Sequence, residues 1–112
     1  MVINLGTNDD LRANPGYIPA FNATYLELVL ATSKRYTPRT HFFLAVGPLA
    51  DTYLNETVWV RDQALARGVP ASILDQRGFL VGGAVCCGHP GTKIDAVMAA
   101  NGTATLRATM GW

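Results

Sequence analysis

The sequence predicts an α/β domain in which a parallel sheet lies between two layers of helices. Two observations lead to this prediction. Short apolar runs typical of strands alternate with longer segments of helical period, and their order along the chain is β-α-β-α-β-loop-α. Strands separated by helical crossovers must pair in parallel, with right-handed connections. A length of 112 residues corresponds to one domain, which we assign to residues 1–112.

Six elements are predicted: strand 2–5, helix 18–36, strand 41–46, helix 55–67, strand 69–74 and helix 92–109. The first helix shows apolar residues at spacings of three and four, and Pro38 closes it. Asn55 or Thr57 is available to cap the second helix. The strand at 41–46 is apolar throughout, as expected of a strand buried on both faces.

Three strands are few for a sheet of this kind, and the first strand opens the chain. We therefore expect the chain to be the second half of a larger domain. A strand edge left open by lost partners invites association with another segment.

Charge and hydropathy exclude two classes of partner. Nine Lys and Arg stand against eight Asp and Glu, for a net charge of +1, and no run of like charge exceeds two residues. We therefore expect no nucleic-acid partner. The longest apolar run, residues 41–50, is far shorter than the roughly 18 residues that a membrane helix needs. We expect no membrane span.

Three Asn-x-Thr sequons, at Asn22, Asn55 and Asn101, favour a secreted or extracellular glycoprotein, because so few asparagines rarely give three by chance. Residues 1–5 offer a strand and no secretory signal. Either the protein is cytosolic or its beginning is missing.

The only cysteines, Cys86 and Cys87, are adjacent. Neighbouring cysteines rarely bridge each other, so they indicate neither a disulfide framework nor a zinc cluster. We expect no metal and no cofactor.

The candidate site residues follow the strands, since ligand sites in open parallel sheets form outside the carboxyl ends of the strands. Gly6 permits a sharp turn after the first strand. The side-chain amide of Asn8 is then placed to donate to a developing alkoxide, as in an oxyanion hole. The alternative is that Asn8 or Asp9 merely caps a turn.

Histidine supplies the second candidate. His89 stands between Gly88 and Pro90, in a loop that fixes the imidazole, and is suited to act as a general base near neutral pH. The other histidine, His41, begins a buried strand, and we expect a structural role for it.

Two blocks of the sequence resemble the SGNH (GDSL-type) hydrolases. Residues 2–9, which end in Gly-Thr-Asn-Asp, resemble the Gly-x-Asn-Asp block of that family, and Gly-His-Pro-Gly at residues 88–91 resembles its His-Pro block. Met-Gly-Trp at residues 110–112 resembles the end of the acetyl-xylan-esterase-like carbohydrate esterase branch. The resemblance covers nearly the whole chain. It implies the C-terminal half of a flavodoxin-like three-layer sandwich, truncated to about three strands.

The resemblance also implies hydrolysis of a carboxylic ester through a Ser nucleophile, with a small-molecule or carbohydrate ester as the substrate. Asn8 would be the oxyanion-hole residue, supported by Gly6, and His89 would be the base that activates the Ser.

The blocks that carry the family's nucleophilic Ser and its oxyanion-hole Gly precede the Asn block, and both are absent here. The only serines are Ser33, in a predicted helix, and Ser72, in a predicted strand. Neither is placed as an exposed nucleophile beside His89. We therefore expect the chain to be inactive alone and its partner to be the missing N-terminal half.

A second departure concerns the residue that orients the histidine. Many members carry an Asp three residues before the His, where this chain has Cys86. A Ser-His dyad oriented by a backbone carbonyl, as in some esterases of the branch, fits this sequence. Asp75, 14 residues before His89, is an alternative third member.

The same fold could serve two other functions. One is a non-catalytic binding or interaction module on the same fold. The other is a nucleotide binder, which is disfavoured because no glycine-rich fingerprint follows the first strand in front of a helix.

Overall fold

The computed structural model describes residues 1–9, 11–49, 52–80 and 86–112. Within them the strands are β1 (Val2–Asn4), β2 (Phe42–Val46) and β3 (Ala71–Asp75), and the α-helices are α1 (Ile18–Ser33), α2 (Leu54–Leu65) and α3 (Thr92–Met110). β2 lies between β1 and β3, and both pairs are parallel. The predicted α/β class and the predicted order of the six elements are confirmed.

The ends of α2 show why some predicted bounds differ from the observed ones. The helix begins at Leu54, with Tyr53 at its cap position, so the predicted caps Asn55 and Thr57 are wrong. The Thr57 hydroxyl lies inside the helix, where it donates to the carbonyl of Tyr53 at 2.7 Å. After the helix, the backbone N–H of Val69 donates to the Ala64 carbonyl. Val69 therefore closes the helix, and β3 begins two residues later than predicted.

One face of the sheet packs against α1 and α2. Alternate side chains of a strand point to opposite faces, so Phe42 and Leu44 of β2 point to this side. The buried residues that complete this part of the core are Tyr25, Leu26, Val29, Val60, Ala64 and Ala71.

The other face packs against α3. Phe43 and Ala45 of β2 and Leu74 of β3 form a second buried cluster, against which Leu106 and Met110 of α3 pack. Helices therefore cover both faces, as predicted, and every residue of β2 is buried. In the described parts of the chain, no helix is both long and apolar enough to cross a membrane.

The outer edge of β1 is open among the described residues. The backbone carbonyl of Met1 accepts a hydrogen bond from Phe43 of β2. Because the backbone groups of successive strand residues alternate in direction, those of Val2 and Asn4 point away from β2. The side chains at this edge are also accessible, since Val2 is 50% exposed and Leu5 is 41% exposed.

Candidate site at the carboxyl ends of the strands

The chain leaves β1 through a tight turn at residues 6–9. The backbone N–H of Asp9 donates to the carbonyl of Gly6 at 3.0 Å, which makes these four residues a hydrogen-bonded turn with Asn8 in third position. Asn8 is exposed. The turn is therefore closed by backbone groups, and it presents the side-chain amide of Asn8 to solvent.

Gly6 is required at the start of this turn for two reasons. Its φ is 107°, in the region that residues with a side chain rarely adopt. It is also buried, and a Cβ atom at this position would lie 2.9 Å from Cγ of Tyr53. Tyr53 is fixed in turn by the core, with its ring centroid 6.1 Å from that of Phe21. The glycine of the Gly-x-Asn-Asp block therefore has a packing role as well as a conformational one.

A second glycine holds the ends of the three strands together. Nδ2 of Asn4 donates to the carbonyl of Gly47 at 3.0 Å. Gly47 has a φ of 90°, and a Cβ atom there would lie 2.7 Å from the backbone carbon of Gln76. We call the surface formed by residues 6–9, 47–48 and 75–77 the carboxyl rim of the sheet.

Gln76 is the buried polar residue of this rim that sequence reasoning missed. It is 5% exposed, and its backbone N–H donates to the carbonyl of Val46 at 2.8 Å. Its side-chain Oε1 is buried and has no hydrogen-bond partner among the described residues. Neither a known motif nor the spacing of apolar residues identifies a single glutamine after a strand as a buried residue. Its burial depends on close approach by Gly47 and by Gly102 of α3, whose added Cβ would lie 3.5 Å from Nε2.

His89 lies in a tight turn that leads into α3. Residues Cys86–Gly88 form a 3-10 turn, and the backbone N–H of His89 donates to the carbonyl of Cys86 at 3.2 Å. Nδ1 of the His89 ring lies 3.0 Å from the carbonyl oxygen of Cys87. A carbonyl oxygen only accepts hydrogen bonds, so Nδ1 carries the hydrogen. In this tautomer the lone pair lies on Nε2 of the exposed side chain.

Asp75, the alternative third member, and Cys86, which stands where the family has Asp, both have other partners. The Asp75 carboxylate accepts hydrogen bonds from Nε and Nη2 of Arg77 at 2.9 and 2.7 Å and from its backbone N–H at 3.0 Å. The Arg77 side chain, through these bonds, lowers the pKa of Asp75. Cys86 has its Sγ 3.0 Å from Sγ of Cys87, and this contact raises the pKa of the Cys86 thiol. The bonded partner of the His89 ring is a backbone carbonyl.

The course of α3 sets the position of His89. Gly102 lies beside Gln76 at the carboxyl rim, and Leu106 and Met110 pack further down the sheet. The segment between Thr92 and Gly102 is about 15 Å long. That Asn8 and His89 lie on the same side of the sheet stays a prediction. A separation of roughly 10 Å or less between their functional atoms stays a prediction, based on the reach of the two groups.

Both serines lie toward the opposite edge, where the strands begin. The hydroxyl of Ser33 donates to the carbonyl of Leu30 within α1, at 2.8 Å. Oγ of Ser72 lies 2.8 Å from Nε2 of His41. The His41 ring also packs on Phe43, with the centroids 4.6 Å apart. Burial, and secondarily the positive N-terminus, lower the pKa of His41.

The three sequons lie within helices. Asn22 is in α1, Asn55 in α2 and Asn101 in α3, and of these only Asn55 is exposed. Acceptor sequons are typical of surface loops. Secretion and glycosylation therefore stay predictions, and Asn55 is the acceptor that this fold leaves accessible.

An apolar groove of about 540 Å³ runs along α1 beside the end of β1. Its largest apolar lining residues are Leu5, Leu11, Tyr17, Phe21, Tyr25 and Leu28. Tyr17 and Leu28 are 63% and 43% exposed, although both are large and apolar. Leu5 lines this groove and also lies at the open edge of β1, so the two surfaces are adjacent.

Within the described residues, no group of three His, Cys, Asp or Glu side chains is arranged to hold a metal ion. Among known proteins, no family model, curated sequence or solved structure matches this chain. The function must therefore be argued from the geometry of the carboxyl rim and of the turn at His89.

Proposed function

We propose that this chain supplies the general base and the oxyanion-hole side chain of a Ser-His carboxylic-ester hydrolase of the SGNH (GDSL) type. The observation that carries the proposal is the 3.0 Å contact between Nδ1 of His89 and the carbonyl oxygen of Cys87. It fixes the tautomer that a general base needs, with the lone pair on the outward nitrogen.

In the proposed reaction, Nε2 of His89 takes the hydroxyl proton of a serine as its oxygen attacks the acyl carbon of the ester. The tetrahedral oxyanion that forms accepts a hydrogen bond from the amide of Asn8. His89 then returns the proton to the departing alcohol. A water molecule repeats the sequence on the acyl-serine, which releases the carboxylic acid. The substrate class is a small carboxylic ester or an acetylated carbohydrate.

The proposed site uses a dyad rather than a triad. A triad carboxylate holds the histidine by accepting a hydrogen bond from Nδ1. Here the carbonyl of Cys87 accepts that bond, and the carboxylate of Asp75 is occupied by Arg77. The Cys87 carbonyl therefore orients the ring and stabilises the imidazolium that forms when Nε2 takes the proton.

The serine is proposed to come from a second segment that completes a flavodoxin-like sheet at the edge of β1. The outward backbone groups of Val2 and Asn4 are suited to pair with another strand. Exposed Val2 and Leu5, together with the groove at Tyr17 and Leu28, give apolar surface that such a segment would bury. A segment at this edge would carry its serine to the carboxyl rim beside Asn8.

The proposal is tested by reconstitution. The coding region that precedes this chain is searched for a Gly-Asp-Ser block, and the segment that contains it is co-expressed with residues 1–112. We expect the complex to release acetate from 4-nitrophenyl acetate and from acetylated xylan. Replacing the segment's serine by alanine, or His89→Ala, should abolish the release, and His41→Gln should leave it intact.

A complex that forms without esterase activity would contradict the proposal, as would full activity after His89→Ala. The alternative is then the non-catalytic interaction module. The apolar groove along α1 is the observation that favours it. Loss of complex formation after Leu28→Asp, without any esterase activity in the parent complex, would support that reading.

A further inference from the structure

We propose that Cys86 and Cys87 form a vicinal disulfide, closing an eight-membered ring in the turn that carries His89. This inference does not rest on the proposed esterase function, because it concerns a covalent modification of the chain itself. It assigns to the two cysteines a chemistry that their spacing in the sequence argues against.

The two sulfur atoms are already close. Sγ of Cys86 lies 3.0 Å from Sγ of Cys87. A disulfide bond is about 2.05 Å long, so the sulfurs need to approach by only roughly 1 Å, a distance that small rotations about the two Cα–Cβ bonds supply.

The backbone explains how adjacent residues bring their sulfurs together. In an extended chain, neighbouring side chains point to opposite sides, which separates adjacent thiols. Cys87 instead has a φ of 58°, and it is the one residue other than glycine with a positive φ in the described ranges. Gly88 follows with a φ of 76°. A left-handed cysteine is uncommon, and this one turns its side chain toward that of its neighbour.

Both thiols are accessible to an oxidant. Cys86 and Cys87 are exposed and free. A low-molecular-weight disulfide such as oxidised glutathione suffices as the co-reactant. The thiolate of one cysteine attacks a glutathione sulfur, forming a mixed disulfide and releasing one glutathione thiolate. The second cysteine loses its proton and displaces the other glutathione. In total, two protein S–H bonds and the S–S bond of the oxidant become one protein S–S bond and two glutathione thiols.

The ring would act on His89 through its own backbone. The carbonyl of Cys87 accepts the hydrogen bond from Nδ1, and the carbonyl of Cys86 accepts the one from the His89 backbone N–H. Both carbonyls belong to residues whose torsion angles the closed ring restricts. Oxidation should therefore change the surroundings of the His89 ring and leave His41, which contacts Ser72 and Phe43 instead, unaffected.

The test is an intact-mass measurement on the whole chain. The protein is equilibrated with buffers of increasing oxidised-to-reduced glutathione ratio, quenched with acid and alkylated. We expect a species that has lost two hydrogens, carries no glutathione and resists alkylation. After trypsin, the modification should map to the peptide of residues 78–93, which contains both cysteines.

Two variants serve as matched controls. Cys86→Ser and Cys87→Ser each retain one exposed thiol, so each should accumulate a glutathione adduct under the conditions in which the parent chain forms the ring. Nitrogen chemical shifts of the two histidine rings, measured before and after oxidation, give the second readout. The His89 signals should move and the His41 signals should not.

Three results would overturn the inference. The parent chain could stay fully alkylatable, keep one glutathione per cysteine, or pair between molecules as a dimer on a non-reducing gel. Ring closure with no change in the His89 signals would overturn the coupling to that residue. None of these results depends on ester hydrolysis, so failure of the esterase proposal leaves the disulfide measurement unchanged.

Discussion

Nδ1 of His89 and the carbonyl oxygen of Cys87 lie 3.0 Å apart, across a turn of three residues. The hydrogen bond is local and uses a backbone acceptor. It sets the orientation and the tautomer of the ring without a carboxylate. In the proposed hydrolase, this contact favours a dyad over a triad.

The first prediction concerns Asp75 in the reconstituted hydrolase. Because its carboxylate is bound to Arg77, Asp75→Asn should lower turnover by less than about tenfold, whereas loss of a triad carboxylate costs on the order of 10⁴. Steady-state kinetics on 4-nitrophenyl acetate measure this. His89→Ala is the matched loss-of-activity control. A fall for Asp75→Asn that equals the fall for His89→Ala would show that the site is a triad.

The second prediction concerns Asn8. In the reconstituted hydrolase, Asn8→Ala should lower kcat by about 100- to 1000-fold, the range for one lost oxyanion donor. KM should change little, because the donor acts on the transition state. The thermal midpoint should also be nearly unchanged, because backbone groups close the turn at residues 6–9. If stability falls and kcat does not, Asn8 is only a turn residue.

The third prediction is that residues 1–112 alone do not hydrolyse an activated acetyl ester above background. Ser72 is bonded to His41, and Ser33 to the Leu30 carbonyl, both away from His89. The measurement is acetate release by the purified chain. Turnover that vanishes in Ser72→Ala or Ser33→Ala would place a nucleophile where the structure gives it no oxyanion donor, and would contradict the argument.

The fourth prediction concerns the packing of Gly6. Gly6→Ala should lower the free energy of unfolding by about 2–4 kcal/mol, because the methyl group meets the Tyr53 ring and the backbone has a positive φ. Gly68→Ala is the matched control. Gly68 also has a positive φ, but nothing lies within 4 Å of its added Cβ. Chemical denaturation should show a clearly larger loss for Gly6→Ala; equal losses would remove the packing role.

The fifth prediction concerns the pH dependence of stability. Burial lowers the pKa of His41 below its ordinary value of 6.5, so the unfolded chain binds the proton more readily than the folded one. His41 therefore costs no stability above about pH 6.5, and the free energy of unfolding should fall as the pH drops below that value. Denaturation curves at several pH values should show a smaller fall for His41→Gln than for the parent.

The fold class followed from patterns that depend on local chemistry. The continuous apolar run at 41–46 predicts a strand buried on both faces, and all of β2 is buried. The backbone N–H of Gly68, just after α2, donates to the carbonyl of Leu65. The predicted ends of helices and strands that were wrong depend on single hydrogen bonds, such as that from Val69 to Ala64. The spacing of apolar residues does not reveal such bonds.

The sequence predicted the candidate site residues one by one, but it did not predict the contacts that these residues make. The sequence indicates Asn8 and His89 through their neighbours in the chain. It cannot indicate Gln76, which is buried because glycines of two other elements approach it, nor the pairing of Ser72 with His41. These contacts join segments that are distant along the chain.

The sequence by itself determined the alternation of strands and helices and the parallel sheet, because each depends on side-chain type and short-range spacing. The tertiary structure decided which partner each polar group has. Asp75 pairs with Arg77, the His89 ring with the Cys87 carbonyl, and the Cys86 sulfur with that of Cys87. The physical reason is that hydrogen bonds and sulfur contacts require separations near 3 Å, which only the folded path of the backbone sets.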